Sequence, residues 1–451
     1  MDRNDLGNYR PITLTNTDYK IFTKALAVRL QKVIKTIISE DQIGFVKSRN
    51  IASHLRLFDD LAKFLNKTNR IGALIALDFS KAFDTLSKRC IEEALDIFNF
   101  GPHFKILVRT VMKGTQSCVQ NGGWLSSWFP TERGIRQGCP LSPLLFIVAV
   151  EILAIKIRNN PEIRGIQIDE NNPESRQNHT TKIKQFADDT TLTMKNENDI
   201  KVAISTVEEF QEFSGLKLNR HKSEGIWMGS GKHKKGKIQD IPMKGVVKIL
   251  GIFISAETEA SILEENWNTK LDNLIRSIKQ WENRNPTLYG KVIVAKTQLL
   301  SQFSHILQVL ALPQHILTRI NTIIYRFLWK RKYNNKKAFE KIKRSVLSLD
   351  FEEGGLKMIN IENQQKMFLT KWSAKLIQEK DTFWAQIVKQ LFKPLVDIHI
   401  TLNATVPPNY NQAINKVDYH FLEGSHKSND NNERNPESIK TEPIWNNKNI
   451  R

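Results

Sequence analysis

The chain has 451 residues, 40% of them hydrophobic, which is material for one large or two to three ordinary domains. No apolar stretch reaches the roughly 18 residues of a membrane span, since the longest, 144–157, is broken by Glu151 and Lys156, and Met1-Asp2-Arg3-Asn4-Asp5 offers no signal-peptide core. The balance of 67 Lys and Arg against 47 Asp and Glu, net +20, points to a polyanionic partner such as nucleic acid, and three scattered cysteines exclude a disulfide framework and suit a reducing interior, nucleus or cytoplasm.

Asn8-Tyr9-Arg10-Pro11-Ile12 opens as an extended segment, because a residue before proline is pushed out of the helical region. Apolar positions at helical spacing predict a helix over 19–38 and a second over 51–65, with a loop carrying Gln42-Ile43-Gly44-Phe45 and the basic Lys47-Ser48-Arg49 between them. Leu74-Ile75-Ala76-Leu77 predicts a buried strand that delivers Asp78 at its end. Ser80-Lys81-Ala82-Phe83-Asp84 is expected to open a helix running past Leu86, with Phe83 either a core ring or a ring beneath the sugar of a bound nucleotide. Helix is expected over 90–113 with a break at Gly101-Pro102, and Asn121-Gly122-Gly123 predicts a hairpin turn. In Gly134-Ile135-Arg136-Gln137-Gly138-Cys139-Pro140-Leu141-Ser142-Pro143, the glycines permit close backbone approach to a ligand. Ser142 is expected to cap a helix over 144–159, so that a polar loop feeds a helix N-terminus suited to phosphate or a base pair.

The segments 181–186 and 190–194 alternate apolar and polar residues and predict two strands, with Ala187-Asp188-Asp189 at the turn. Placed beside the strand that ends at Asp78, this hairpin gathers three carboxylates. Such acids repel one another unless divalent cations neutralise them, and oxygen donors select Mg²⁺ or Mn²⁺, two of which can drive phosphoryl transfer. An ordinary Asp-Asp turn is the plain alternative. A helix over 200–213 stops at Gly215. Lys222 follows, either solvated or returned to the site, where it would protonate departing pyrophosphate or hold its charge. Residues 247–254 are expected to form one strand. Beyond Ser255 the pattern is helical, with an apolar face at Leu271, Leu274, Ile275, Ile278 and Trp281, one long helix over 292–312 stopped by Pro313, and another over 316–329. Trp329-Lys330-Arg331 is either a surface for nucleic-acid backbone or an ordinary helix end. The tail 424–437 has almost no apolar residues and is expected to be disordered.

The order of these motifs resembles the reverse transcriptases of LINE-type non-LTR retrotransposons. The resemblance rests on Asn8-Tyr9-Arg10-Pro11-Ile12, Gln42-Ile43-Gly44-Phe45, Asp78-Phe79-Ser80-Lys81-Ala82-Phe83-Asp84, Arg136-Gln137-Gly138-Cys139-Pro140-Leu141-Ser142-Pro143, Phe186-Ala187-Asp188-Asp189 and Gly215-Leu216-Lys217-Leu218-Asn219 with Lys222. It covers residues 8 to about 254, with a thumb-like part to about 375. It implies an α+β right-hand polymerase, with fingers and an antiparallel palm sheet over 1–257, a helical thumb region over 258–380, and a partial C-terminal segment over 381–451. It further implies that Asp78, Asp188, Asp189 and the Phe79 carbonyl hold two Mg²⁺ or Mn²⁺ ions. Phe83 would be the steric gate that favours dNTPs, Arg10 would reach the triphosphate, Gln137 and Gly138 would lie against the templating pair, and Lys222 would be the general acid. The partners implied are an RNA template, a DNA primer and dNTPs, with no membrane. Relative to a full element the chain is expected to be cut at both ends, without the endonuclease or a Cys/His knuckle. A remnant that binds RNA and DNA without catalysis is the competing expectation, and a DNA-templated or group II intron-type polymerase a third.

Overall fold

The computed structural model describes residues 9–168, 180–256, 260–329, 340–379 and 381–391. The chain divides into two compact units, Met1–Glu257 and Thr258–Arg451.

In the first unit the helical spacing forms α1, Thr17–Ile37, which buries Leu26, Ala27, Leu30 and Ile34 along one stripe, and α2, Ala52–Thr68. β1, Gly72–Leu77, is the expected buried apolar strand. The helix expected to run past Leu86 closes only one turn, α3, Ala82–Thr85. Ser87 then caps a separate helix, α4, Lys88–Ile97, by accepting from the Cys90 N–H; a hydroxyl that satisfies an orphan first-turn donor favours a helix start over a helix interior. Gly101 and Pro102 make the predicted break before α5, Pro102–Met112. Two short ladders follow, β2 (Gln116–Ser117) on β5 (Phe129–Pro130) and, inside them, β3 (Gln120–Asn121) on β4 (Trp124–Leu125) around Gly122 and Gly123. α6, Ser142–Asn159, is apolar almost all round and buried accordingly. Its N-cap is Leu141 rather than Ser142, whose hydroxyl is engaged with Cys139.

β6 (Ile166–Gln167) pairs with β7 (Thr180–Thr181). The acid hairpin forms as expected, from β8 (Ile183–Phe186) and β9 (Asp189–Met194). α7, Glu197–Ser214, is capped by Asn196 and stopped by Gly215 in the left-handed region. β10 (Glu224–Met228), β11 (Gly236–Ile238) and β12 (Ile241–Lys244) complete a six-stranded sheet in the order β11-β12-β10-β1-β9-β8, antiparallel except where β10 meets β12. Helices α1, α4, α6 and α7 share one core with this sheet, in which Phe146, Ile147, Val207 and Phe210 join Ile75, Ile183 and Leu192. The single strand expected over 247–254 is a hairpin, β13 (Val246–Ile249) and β14 (Ile252–Ser255). Leu250 and Gly251 both take positive φ, +47° and +85°, which is what a two-residue hairpin turn demands.

Among its described residues the second unit is helical throughout. α8, Ala260–Glu282, buries Leu271, Leu274 and Ile278, and α9 is Leu288–Val294. The single helix expected over 292–312 is interrupted by a π segment, Ala295–Leu300, and a tight turn, Ser301–Phe303, before α10, Ser304–Leu307. Thr297 and Ser301 donate their hydroxyls back to the Ile293 and Thr297 carbonyls at 2.8 and 2.6 Å, the kind of side-chain bond that competes with a regular ladder. α11 (Gln314–Leu328), α12 (Arg344–Ser348), α13 (Ile361–Gln378) and α14 (Phe383–Leu391) follow.

Candidate active site

Sheet register brings the acids together. β1 pairs with β9 so that Leu77 faces Thr190, and the turn pairs Phe186 with Asp189. One step past Leu77 therefore sets Asp78 beside Asp189, with Asp188 in the turn. The charges feel one another. The Asp189 side chain reaches solvent, yet its carboxyl is pushed up to about 6, first by desolvation in the cleft and then by the charges of Asp188 and Asp78, against the opposing pull of Arg10. Desolvation also raises Asp78 and Asp188 adds to it, while Lys222, a hydrogen bond from Asn219 and Arg10 act in the other direction.

The donor set suits a hard divalent cation: adjacent carboxylates, destabilised by one another, gain from positive charge placed among them. Among the described residues no three His, Cys, Asp or Glu side chains meet closely enough to ligate a metal by themselves. A cation here would complete its shell with carbonyl, water or substrate phosphate oxygen, as Mg²⁺ commonly does. Phe79 sits in an isolated antiparallel bridge with Leu218, framed by the Asn219 N–H bond to the Asp78 carbonyl and the Ser80 N–H bond to the Lys217 carbonyl, both 2.8 Å. In that pairing the Phe79 carbonyl points away from Leu218.

The same pairing explains how Lys222 arrives. Segment 217–219 is laced along the end of β1, and the Asp78 N–H donates to Ser223 Oγ at 3.1 Å. The Lys222 N–H bonds the Asn219 carbonyl at 3.2 Å, so a tight turn returns this exposed lysine to within electrostatic reach of Asp78. Asn219 and Ser223 are site residues to which sequence reasoning gave no role. The only available signal was an Asn three residues before the lysine, a residue that favours such turns.

On the other side, Phe83 stacks on Phe146 with ring centroids 4.6 Å apart and meets Phe45 edge-on at 6.3 Å, so its half-buried ring is held on two sides. The Gln137 loop is stitched to it: Ile135 N–H donates to the Phe83 carbonyl and Gly134 N–H to the Leu86 carbonyl, both at 2.8 Å, and Gln137 Nε2 donates to Asp84 Oδ1 at 3.4 Å. Thr13 N–H donates to the Gln137 carbonyl at 2.9 Å. A Cβ on Gly138, at φ +113°, would lie 2.8 Å from the Thr13 carbonyl oxygen, so only glycine lets the opening segment dock here. That docking sets exposed Arg10 within electrostatic range of Asp78, Asp84 and Asp189.

Trp329 belongs to the other compact unit, where it is half-buried and ends α11, with its Nε1 enclosed. Lys330 and Arg331, and the tail 424–437, lie outside the described residues. No described helix is long and apolar enough to cross a membrane.

A sequence profile described as reverse transcriptase (RNA-dependent DNA polymerase) matches residues 2–254. The chain is 27% identical over 394 residues to the Transposon TX1 uncharacterized 149 kDa protein of Xenopus laevis, which covers 86% of this chain and 29% of that protein. It is 29% identical over 215 residues to the Retrovirus-related Pol polyprotein from type-2 retrotransposable element R2DM of Drosophila melanogaster, covering 48% of this chain and 19% of that one. The chain thus spans less than a third of either relative. A solved structure of apo telomerase from Candida Tropicalis is similar at 11% identity, with 90% of this chain and 61% of that chain covered and a TM-score of 0.41.

Proposed function

The chain belongs to the reverse transcriptase (RNA-dependent DNA polymerase) family, and on that premise we propose that it is the polymerase core of a LINE-like retroelement, adding dNTPs to a DNA primer on an RNA template. The observation that carries this reading is the register that sets Asp78 beside Asp189, with Lys222 and Arg10 close enough to act on the same carboxylates. The primer 3′-hydroxyl gives up its proton to water as its oxygen attacks the α-phosphorus of the dNTP, the α–β bridging P–O bond breaks, and pyrophosphate leaves. Arg10 meets the triphosphate as it enters, and Lys222 Nζ gives a proton to the departing pyrophosphate or holds its charge. Asp78, Asp188 and Asp189, with the Phe79 carbonyl, would hold two Mg²⁺ or Mn²⁺ ions. Such ions, when bound, neutralise charge on the attacking and leaving oxygens. The Phe83 ring, braced by Phe146 and Phe45, closes the space a ribose 2′-hydroxyl needs, and Gln137 and Gly138 border the templating pair.

In this reading residues 1–257 are fingers and palm, 258–380 are thumb, and Trp329 with Lys330 and Arg331 touches nucleic-acid backbone. The test is primer extension on an RNA template with Mg²⁺, run beside Asp188→Ala. Loss of a cation-holding carboxylate removes several kcal/mol of transition-state stabilisation, about a thousandfold in rate. Equal extension by both proteins would show that this is not the reacting site.

A further inference from the structure

The segment Gln42-Ile43-Gly44-Phe45 has its own tie to the acid turn. Gln42 is fully buried, at 0% exposure, and its amide meets the Ala187 peptide. Oε1 accepts from the Ala187 N–H at 2.9 Å and from the Gly44 N–H at 2.8 Å, and Nε2 donates to the Ala187 carbonyl at 3.2 Å. Ala187 immediately precedes Asp188 and takes φ +57°, a left-handed conformation that residues with a Cβ rarely adopt. Such backbone persists where its surroundings over-determine it. Here they do. The Ile43 N–H donates to the Gln185 carbonyl at 3.0 Å and the Gln185 N–H to the Asp41 carbonyl at 2.8 Å, so 41–43 lies along β8 beyond the edge of the sheet. A Cβ on Gly44 would collide with the Ala187 nitrogen and crowd Gln42 Oε1, so glycine is what permits the approach. The clamp is itself anchored: Asp41 binds Lys184 at 2.6 Å and Arg158 at 3.0 Å, and Arg49 donates to the Ile38 and Gln42 carbonyls at 3.0 and 2.5 Å.

We propose that Gln42 is the positioning residue of the acid turn: by gripping the N–H and the carbonyl of Ala187, on the two peptide groups that flank its Cα, it fixes the direction in which Asp188 and Asp189 present their carboxylates. This rests on the polymerase reading of the site. It also goes past it, because it places control of cation binding in a loop 145 residues away in sequence from the turn it holds.

The test uses the full chain with Gln42→Met, which keeps length and removes both hydrogen-bonding functions, and with Gly44→Ala, which keeps the amide's chemistry but presses on the turn and on Gln42 Oε1. Residues that orient metal ligands change affinity by about 10–100-fold when replaced. The expected result is a rise of that order in half-saturating Mg²⁺ for primer extension, with the KM for primer–template unchanged. Mn²⁺ affinity, read by electron paramagnetic resonance without nucleic acid, should weaken by a similar factor. A merely structural defect, checked by thermal melting, lowers the active fraction and moves neither half-saturation. In an Asp188→Ala background, Gln42→Met should weaken Mn²⁺ binding by a smaller factor than in the wild type, since the part of its effect that passes through Asp188 is already lost. If the wild-type chain extends no primer, the polymerase reading fails, and the Mn²⁺ titration still judges Gln42. Wild-type half-saturation by Mg²⁺ and by Mn²⁺ in both single variants would overturn the proposal.

Discussion

At the scale of single residues, the candidate site is built from contacts that cross large sequence distances. Phe83 is held by Phe146 on its face and Phe45 on its edge, so truncation opens space between them. Phe83→Ala is expected to relax discrimination against ribonucleotides by about 10–100-fold, the scale at which apolar pocket contacts discriminate. Competing dNTP and rNTP incorporation measures it, and unchanged selectivity would remove the ring from the gate. Lys222→Ala should slow single-nucleotide addition by about a hundredfold or more, the low end for general acid catalysis, with Lys222→Gln no better and primer–template affinity preserved. The gathering of the three acids was legible early, because the strand patterns before Asp78 and on both sides of Asp188-Asp189 place them at adjoining strand ends, where the register sets them. Asn219, Ser223 and the grip of Gln42 on Ala187 were not. A buried amide announces itself only by its partner, and here the partner is a peptide group that carries no side-chain signature.

Among the elements, the alternation around Ala187-Asp188-Asp189 and the apolar run before Asp78 foretold β8, β9 and β1, since period-2 burial leaves few other readings. The misses share a cause. The helix expected past Leu86 stops at Thr85 because the Ser87 hydroxyl starts another helix. The helix over 292–312 breaks where Thr297 and Ser301 turn their hydroxyls onto its own carbonyls. The Leu250-Gly251 turn hid in a run of apolar residues. Each was settled by local hydrogen bonding or turn geometry rather than hydrophobic period. Gly215 shows the opposite case: it ends α7 at φ +76°, and a Cβ there would lie 2.8 Å from the Thr85 carbonyl oxygen. Gly215→Ala should destabilise the fold by about 1–3 kcal/mol from the left-handed backbone, before that close contact is counted. Urea denaturation reads this directly, and an unchanged midpoint would mean the turn relaxes without cost.

For the molecule as a whole, the net charge of +20 is the property most plainly written in the sequence and the one least tied to any single fold. It predicts that the logarithm of affinity for an RNA–DNA duplex falls linearly with the logarithm of salt, by about a thousandfold in affinity between 50 and 200 mM if about six phosphates are neutralised. A flat salt dependence would mean that the basic surface is not the binding face. Binding is a separate matter from chemistry, which the proposed reading assigns to the acids. The most direct measurement is therefore single-turnover addition of one dNTP to a pre-bound RNA–DNA primer–template, with duplex affinity recorded in the same samples for the wild type and for Asp78→Ala with Asp188→Ala. The expected result is Mg²⁺-dependent addition by the wild type, and a double variant that still binds the duplex yet adds nothing. Equal addition by both proteins, or tight binding by the wild type with no addition under Mg²⁺ or Mn²⁺, would contradict the assignment of Asp78, Asp188 and Asp189 as a working polymerase site.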